Sequence, residues 1–344
     1  MQFTRDNHFV SQGYLKQWSD DGSTVWAYRI LVSHESVPDW TRPAIRGVAW
    51  HEDLYTTVAC GTESDEFEHW IEAEYETPAQ ESIAKVVRDE SLATKDWERL
   101  ALLLAAQDVR TPTNFVESMQ RWEREMPELL DETLKGSVHE LEEAHREKRP
   151  VATRETATEF LRDLFAITIT RPSDPDALGS IKAEIVLGRR LWIESQRHLL
   201  TNTAKVLLNH KWSIAEPAAG STWFTSDHPV VRLNYYEDGT HDLKGGWRNP
   251  GSELFMPLSR RHLLFAHIGQ DAPDRFTFSP EQTLKIQRFL AERAHRWIFA
   301  REPITRVTWL RPRHVSAAAF KAEEEQWRKW HGEQSAAETP SSGS

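Results

Sequence analysis

The segment KWSIAEPAAGSTWFTSDHPVVRL, residues 211–233, decides the fold class because the residue pattern changes there. It contains two short runs rich in β-branched and aromatic residues, and the turn-forming residues Pro217–Ser221 lie between them. We therefore predict a β-hairpin, interrupted at Asp227–Pro229 because proline donates no hydrogen bond to a sheet. The sequence is expected to form strands from this point onward.

The residues that follow extend the predicted sheet. SELFMPLS (252–259) and HLLFAHI (262–268) have the composition of strands, and RVTWLRP (306–312) is expected to close the sheet. PEQTLKIQRFLAERAHRWIFA (280–300) is predicted to be an amphipathic helix, with Ser279 and Pro280 as its start signal. A disordered tail is expected after residue 333 because Ser, Gly, Ala and Glu dominate there.

The residues before 211 are predicted to be mainly helical, apart from a strand in STVWAYRI (23–30). Phe67, Trp70, Ile71 and Glu74 have helical spacing, which would turn Glu74 toward the core, and Thr77–Pro78 predicts a kink or restart. Further helices are expected at 95–110, at 116–149 with an interruption at Pro127, at 153–171 and at 177–209.

These patterns predict an α+β fold, with a helical N-terminal and middle part packed against a mainly antiparallel sheet from the C-terminal half. We expect one domain over residues 1–335. It would consist of an arm at 1–60, a helical part at 61–210, a sheet-rich part at 211–315 and a C-terminal helix at 316–333, with 334–344 as the tail.

Composition narrows the class of protein. No segment of the 344 residues approaches the roughly 20 apolar residues of a membrane span, and MQFTRDN lacks the features of a signal peptide, so a cytoplasmic protein is expected. A single cysteine, Cys60, excludes an internal disulfide and a cysteine zinc cluster, and a small buried side chain is its expected role. The net charge of −11 opposes attraction of the whole surface to nucleic acid.

Polar residues at positions that should face inward are the candidates for a site. RDNHFVSQGYLKQW (5–18) is an apolar arm with His8 and Gln12, and we expect it to pack near Gln107 and Arg110 of the 95–110 helix. His8 is suited to proton transfer or metal binding, and Glu76 and Asp227 provide carboxylates. Gln12, Gln107 and Arg110 would contribute binding groups, for example for a phosphate.

Three classes of function are compatible with these residues. The first is a hydrolase, with His8, Glu76 and Asp227 as catalytic residues, a divalent metal as the candidate cofactor and a nucleic acid or nucleotide as substrate. The others are a ligand-binding or sensing module without turnover and a structural partner protein. Purely structural roles also fit, because buried polar groups can satisfy one another in a network.

The order of the motifs resembles a known family. NHFVSQGYLKQW, AAQDVRTP, KWSIAEPAAGSTWFTSDHPVV, FMPLSRRHLLF and LAERAHRWIFA are similar, in this order, to a bacterial domain of unknown function, number 4238, over roughly residues 5–300. Ser11 stands where that family usually has proline. The resemblance implies an α+β fold with a helical middle and a bacterial or phage-related origin, from which a defence or conflict effector is expected; it implies no particular activity.

Overall fold

The computed structural model describes residues 3–59, 62–150, 164–170 and 179–338. Cys60 and parts of the predicted helices at 153–171 and 177–209 lie outside these residues, as does the end of the predicted tail. The described helices are α1 (Gln12–Leu15), α2 (Glu66–Ile71), α3 (Thr77–Val87), α4 (Thr94–Val109), α5 (Pro112–Glu147), α6 (Arg189–His198), α7 (Pro280–Arg293), α8 (Val307–Leu310) and α9 (Ala317–Glu338). Glu72–Glu76 and Leu199–Thr203 are π-helical, and Lys16–Trp18, Ile45–Gly47 and Ala204–Asn209 are 3-10 turns.

The strands are short and occur along the whole chain. They are β1 (Asp6–His8), β2 (Trp26–Arg29), β3 (Leu31–Val32), β4 (Trp40–Thr41), β5 (Trp50–Glu52), β6 (Thr57–Ala59), β7 (Thr62–Ser64), β8 (Phe165–Thr170), β9 (Ser180–Ile185), β10 (Ser213–Glu216), β11 (Thr225–Ser226), β12 (Val231–Tyr235), β13 (His241–Asp242), β14 (Glu253–Pro257), β15 (Leu263–His267), β16 (Arg275–Thr277), β17 (Trp297–Ala300) and β18 (His314–Val315).

Two sheets organise the molecule. Six strands pair in the order β13-β12-β14-β15-β10-β16, and every pair is antiparallel except β10 with β16. A second sheet, β11-β17-β2-β4, is antiparallel throughout and combines two N-terminal strands, β2 and β4, with two C-terminal ones, β11 and β17. The predicted α+β class with a mainly antiparallel sheet is confirmed.

The predicted hairpin over residues 211–233 is wrong, although its interruption is correctly placed. β10 pairs with β15 and β16, whereas β11 pairs with β17 in the other sheet. β11 ends at Ser226 and β12 begins at Val231, so the Asp227–Pro229 segment is where the chain passes from one sheet to the other. Local sequence identifies the strands but not their partners, because pairing is a long-range property.

Two predictions near the C-terminus also differ from the structure. The helix predicted for 280–300 ends at Arg293, because Ala294 is extended and Trp297–Ala300 forms strand β17 with Ile298 and Phe299 fully buried. A short apolar run fits a buried strand as well as a helix. RVTWLRP contains the single helical turn α8 instead of a strand, and its Trp309 is 65% exposed.

The middle of the chain contains a hairpin where helices are predicted. β8 and β9 pair antiparallel, and Ile169 lies opposite Ile181. Apolar residues alternate in both strands, a period of two that the prediction overlooked. Helix α5 continues through Pro127, and helix α9 continues to Glu338, so residues 334–338 are helical rather than a disordered tail.

One hydrophobic cluster runs from Phe9 to Trp330 and includes residues of both sheets. The N-terminal arm is part of it, since Tyr14 is fully buried and donates a hydrogen bond to the carbonyl oxygen of Pro257 at 2.5 Å. None of the described helices combines the length and apolar character needed to cross a membrane.

Candidate functional site

A cavity of about 870 Å³ lies where helices α4, α5 and α6 meet strand β12 and the loop before β14. We call it the arginine cavity. Its lining residues are Asp108, Val109, Asn114, Glu117, Ser118, Arg121, Trp122, Ser195, His198, Leu199, Asn202, Thr203, Val206, Arg232, Gly246, Trp247, Arg248 and Asn249. They come from α4, α5, α6, the π-helical and 3-10 turns that follow α6, β12 and the loop before β14, so seven segments surround one space.

Asp108, near the end of helix α4, is a buried residue of the cavity wall that binds two neighbouring side chains. Its Oδ2 accepts a hydrogen bond from Trp247 Nε1 at 2.8 Å and lies 3.4 Å from Arg232 Nε. Burial acts to raise the pKa of Asp108, but the Arg232 and Arg293 guanidinium groups outweigh burial and lower the pKa to about 2. The side chain is therefore an ionised carboxylate at neutral pH, and it fixes both Trp247 and Arg232.

His228, in the link between β11 and β12, lies behind Asp108 and is fully buried. Arg293 NH2 is 2.8 Å from His228 Nε2, and Thr111 Oγ1 is 3.3 Å from Nδ1. Burial and the cationic Arg293 lower the pKa of His228 to about 4, so the ring is neutral at pH 7. A neutral ring that accepts from Arg293 carries its proton on Nδ1, next to the Thr111 hydroxyl.

Gly245 allows the loop that carries Trp247 to lie directly on strand β12. Its N–H donates to the Arg232 carbonyl oxygen at 3.3 Å. A Cβ atom at Gly245 would lie 2.6 Å from the backbone oxygen of Leu233, so any other residue would force the loop away. The close approach places Trp247 against Asp108.

Two arginines at the cavity have no carboxylate partner. Among the described residues, neither Arg121 of helix α5 nor Arg248 of the loop takes part in an ion pair, and both are exposed. The acidic residues of the lining are already paired, since Glu117 Oε1 is 3.1 Å from Arg293 NH1 and Asp108 faces Arg232. The cavity of this acidic protein therefore has an excess of positive charge.

Arg110 is the centre of a second polar cluster, which contains three of the residues predicted from sequence. Its Nε donates to the Phe9 carbonyl oxygen at 3.1 Å and its NH2 donates to the carbonyl oxygen of His8. Its NH1 forms an ion pair with Glu76. The predicted packing of the N-terminal arm against this helix is confirmed.

Glu74 does not face the core, contrary to the prediction. Glu72–Glu76 form a π-helical turn, which adds a residue to the turn and rotates the residues that follow. Tyr75 becomes buried and Glu76 reaches Arg110, while Glu74 is exposed. Extrapolation of the 3.6-residue period from Phe67 fails at this turn.

The other predicted site residues lie in separate surroundings. Gln12 is exposed in helix α1, and Gln107 is fully buried with no hydrogen-bond partner for its amide among the described residues. Both carboxylate oxygens of Asp227 accept backbone N–H groups, from His295 at 2.9 Å and Arg296 at 2.7 Å. The catalytic roles of His8, Glu76 and Asp227 and the binding roles of Gln12, Gln107 and Arg110 stay predictions.

Sequence reasoning missed the lining residue Asp108, and His228 behind it, by one position each. Asp108 follows Gln107, and His228 follows Asp227. Neighbours in a helix point about 100° apart, so choosing Gln107 over Asp108 selects a different side of α4. The buried charge of Asp108 among apolar residues was the available signal, since buried carboxylates require partners.

One group of side chains has the composition of a metal site. Ligand atoms of Asp89, Glu216 and His262 lie within 4.8 Å of one another. However, Asp89 already pairs with Arg275 at 2.7 Å and Glu216 with Arg261 at 2.8 Å. The arginines neutralise the carboxylates, so this cluster is explained as an ion-pair network, and the predicted divalent metal stays a prediction.

The chain belongs to the family described as Protein of unknown function (DUF4238), whose model matches residues 6–303. Comparison with the curated proteins and with the solved structures gave no match.

Proposed function

We propose that this protein binds a small anionic ligand in the arginine cavity and holds it without turnover. The observation that supports this is the pair of arginines without an ion-pair partner among the described residues, Arg121 and Arg248, at a cavity of about 870 Å³ whose own carboxylates are already paired. Arginine is suited to phosphate and carboxylate because its planar fork donates several hydrogen bonds. A ligand with negative charge would supply the missing partners.

The two buried ionisable groups beside the cavity, Asp108 and His228, are better suited to holding a binding site than to hydrolysis. A general base works best with a pKa near the working pH, and Asp108 has a pKa of about 2. His228 is fully buried, and its Nε2 is already occupied by Arg293. The two groups instead hold the cavity wall in place, as a preformed binding site requires.

The hydrolase hypothesis, with nucleic acid or a nucleotide as substrate and a metal as cofactor, stays an alternative prediction of the sequence. A cytoplasmic location and a role in bacterial defence or conflict are predictions of the same kind. Both predictions are compatible with a ligand-binding cavity, because an effector protein that is switched by a small molecule needs a site that binds this molecule.

Isothermal titration calorimetry with inorganic triphosphate, a sugar bisphosphate and ATP tests the proposal. We expect at least one of these polyanions to bind, with an affinity that falls as salt rises. Arg121→Gln and Arg248→Gln should each weaken binding by about tenfold, the effect of losing one charged hydrogen bond.

Arg124→Gln is the matched control, since Arg124 lies on the same helix as Arg121, outside the cavity lining, and is 74% exposed. The proposal would be wrong if no polyanion bound, or if the control weakened binding as much as the cavity variants. Release of phosphate from ATP, measured with and without Mg²⁺, would favour the hydrolase instead.

A further inference from the structure

We infer that the ligand of the arginine cavity is a nucleotide, in which an aromatic base contacts Trp122 and the phosphates contact Arg121 and Arg248. This inference rests on the proposed function and names its ligand class. It depends on three properties of the lining: its size, the placement of its charges and its aromatic surface.

The size of the cavity indicates an organic ligand. A volume of about 870 Å³ falls within the range of roughly 300–1,000 Å³ that is typical of sites for cofactors and drug-sized molecules. A single oxyanion on one arginine would leave most of this space unfilled. The ligand therefore has a substantial part beyond its charged group.

The charges call for more than one anionic group. Arg121 projects from helix α5 and Arg248 belongs to the loop that precedes β14, so the lining offers two guanidinium groups without an ion-pair partner among the described residues. Arg232 is held in the wall by Asp108 and adds a third guanidinium. A chain of phosphates carries several charges and can therefore pair with more than one arginine.

The aromatic residues call for a planar ring. Trp122 and Trp247 both line the cavity and each is 8% exposed, and the Arg121 guanidinium lies 5.9 Å from the Trp122 ring centroid, so a base on Trp122 would lie beside Arg121. The hydrogen bond to Asp108 fixes the Trp247 side chain before a ligand binds. Binding therefore costs no conformational entropy for ordering this side chain. Stacking of a nucleobase on an aromatic side chain contributes substantially to affinity and is available to every base.

Amide side chains provide the remaining polar contacts. Asn202 and Asn249 are exposed at the cavity, and each amide can both donate and accept. The Oδ1 of Asn114 accepts from Trp192 Nε1 at 2.9 Å, which leaves its NH₂ group as a donor. Donors and acceptors beside an aromatic ring match the edge of a base or the hydroxyls of a ribose.

Calorimetry that compares ATP, GTP and UTP with inorganic triphosphate tests the ligand class. We expect the best nucleoside triphosphate to bind at least about tenfold more tightly than triphosphate, since stacking is the added interaction. Trp122→Leu should remove this preference and leave the triphosphate affinity within about twofold. Trp122→Phe, which keeps an aromatic face, should retain most of it.

Trp309→Leu is the control, because Trp309 is 65% exposed and lines a different cavity. Equal affinities of nucleotides and triphosphate for the wild-type protein would overturn the nucleotide assignment and leave the proposed function standing. If neither bound, the nucleotide assignment would fail, and the proposed function would fail with it if the sugar bisphosphate did not bind either. The comparison on wild-type protein decides the question even if Trp122→Leu does not fold.

Discussion

Arg110 connects three segments of the chain through a single guanidinium. It binds the backbone of the N-terminal arm at His8 and Phe9, and it pairs with Glu76 of the π-helical turn. The side chain is 1% exposed, so its charge depends on these partners. A buried charge that keeps its partners is compatible with a stable fold. Removing one member of a buried ion pair lowers the free energy of unfolding, because the other member is left charged and unpaired.

Replacing Arg110 by Met should therefore destabilise the protein by about 3–5 kcal/mol, because Glu76 would be left as an unpaired carboxylate away from water. Arg124→Met should change stability by less than about 0.5 kcal/mol, as expected at an exposed position. Urea denaturation of the two variants measures both values. Equal effects would show that the buried pair contributes little.

Glu68 gives the same cluster a dependence on pH. The Oε2 of Glu68 is buried without a hydrogen-bond partner among the described residues. Burial is the main cause that raises the pKa of Glu68 to about 8, and the negative charges of Glu76 and Glu72 add to the increase, while Arg110 opposes it. The folded protein thus keeps a proton that the unfolded chain releases near pH 4.5. Stability should fall as the pH rises between these two values.

Glu68→Gln should remove this decline, because the amide stays neutral at every pH. The variant should match the wild type near pH 4 and exceed its stability by about 2 kcal/mol at pH 9, a reduced value because the residue is half-buried. Glu128→Gln, at an exposed position of helix α5, is the control. Parallel stability curves for wild type and Glu68→Gln would contradict the assignment.

Sequence predicts the elements best where local signals agree. Helix α4 and the start of α7 were predictable, since α7 has a complete capping box at Ser279 and Gln282. The π-helical turn at Glu72–Glu76 and strand β17 were not, because an inserted residue or a short apolar run leaves no distinct local pattern. Packing against the rest of the molecule decides such segments.

The loop from β13 to β14 gives a test at the level of elements. Gly245→Ala should lower stability by about 1–3 kcal/mol, since its Cβ would press against the backbone of β12. It should also weaken ligand binding by displacing Trp247. Gly136→Ala, in the exposed middle of helix α5 with no atom near the new Cβ, should instead raise stability by roughly 0.5–1 kcal/mol.

Thermal denaturation of the two variants gives the comparison directly. Opposite signs are expected from the same chemical change, because one glycine permits a close backbone approach and the other only weakens a helix. A stable Gly245→Ala variant with unchanged ligand affinity would show that the loop does not depend on this contact.

At the scale of the whole molecule, the arginine cavity collects residues from position 108 to position 249. Their proximity follows from the packing of helices α4–α6 on one sheet, which residue spacing does not encode. The sequence could therefore identify the motifs around Gln107 and Asp227, but it could not show which neighbouring side chain faces the cavity. Only the tertiary structure shows that Asp108 lines the cavity and that His228 lies behind it.

The C-terminal helix α9 supports this arrangement from behind. Arg189, the first residue of helix α6, is fully buried and binds the Glu338 carboxylate through two hydrogen bonds, at 2.9 and 2.8 Å. Gln334 Oε1 accepts the Arg189 backbone N–H at 2.7 Å and so caps helix α6. Ser195 and His198 of α6 line the arginine cavity, so the end of the chain stabilises one of its walls.

Removal of residues 331–344 should therefore lower the melting temperature by several degrees, because Arg189 would lose Glu338 and α6 would lose its cap. Removal of 339–344 alone keeps both contacts and serves as the control.

Arg189→Met and Glu338→Leu should each destabilise the fold, while the double variant should recover part of the loss, because the two apolar side chains leave no buried charge unpaired. Additive losses in this double-mutant cycle would show that the two side chains stabilise the fold independently. The ion pair between helices α6 and α9 would then not stabilise the cavity wall.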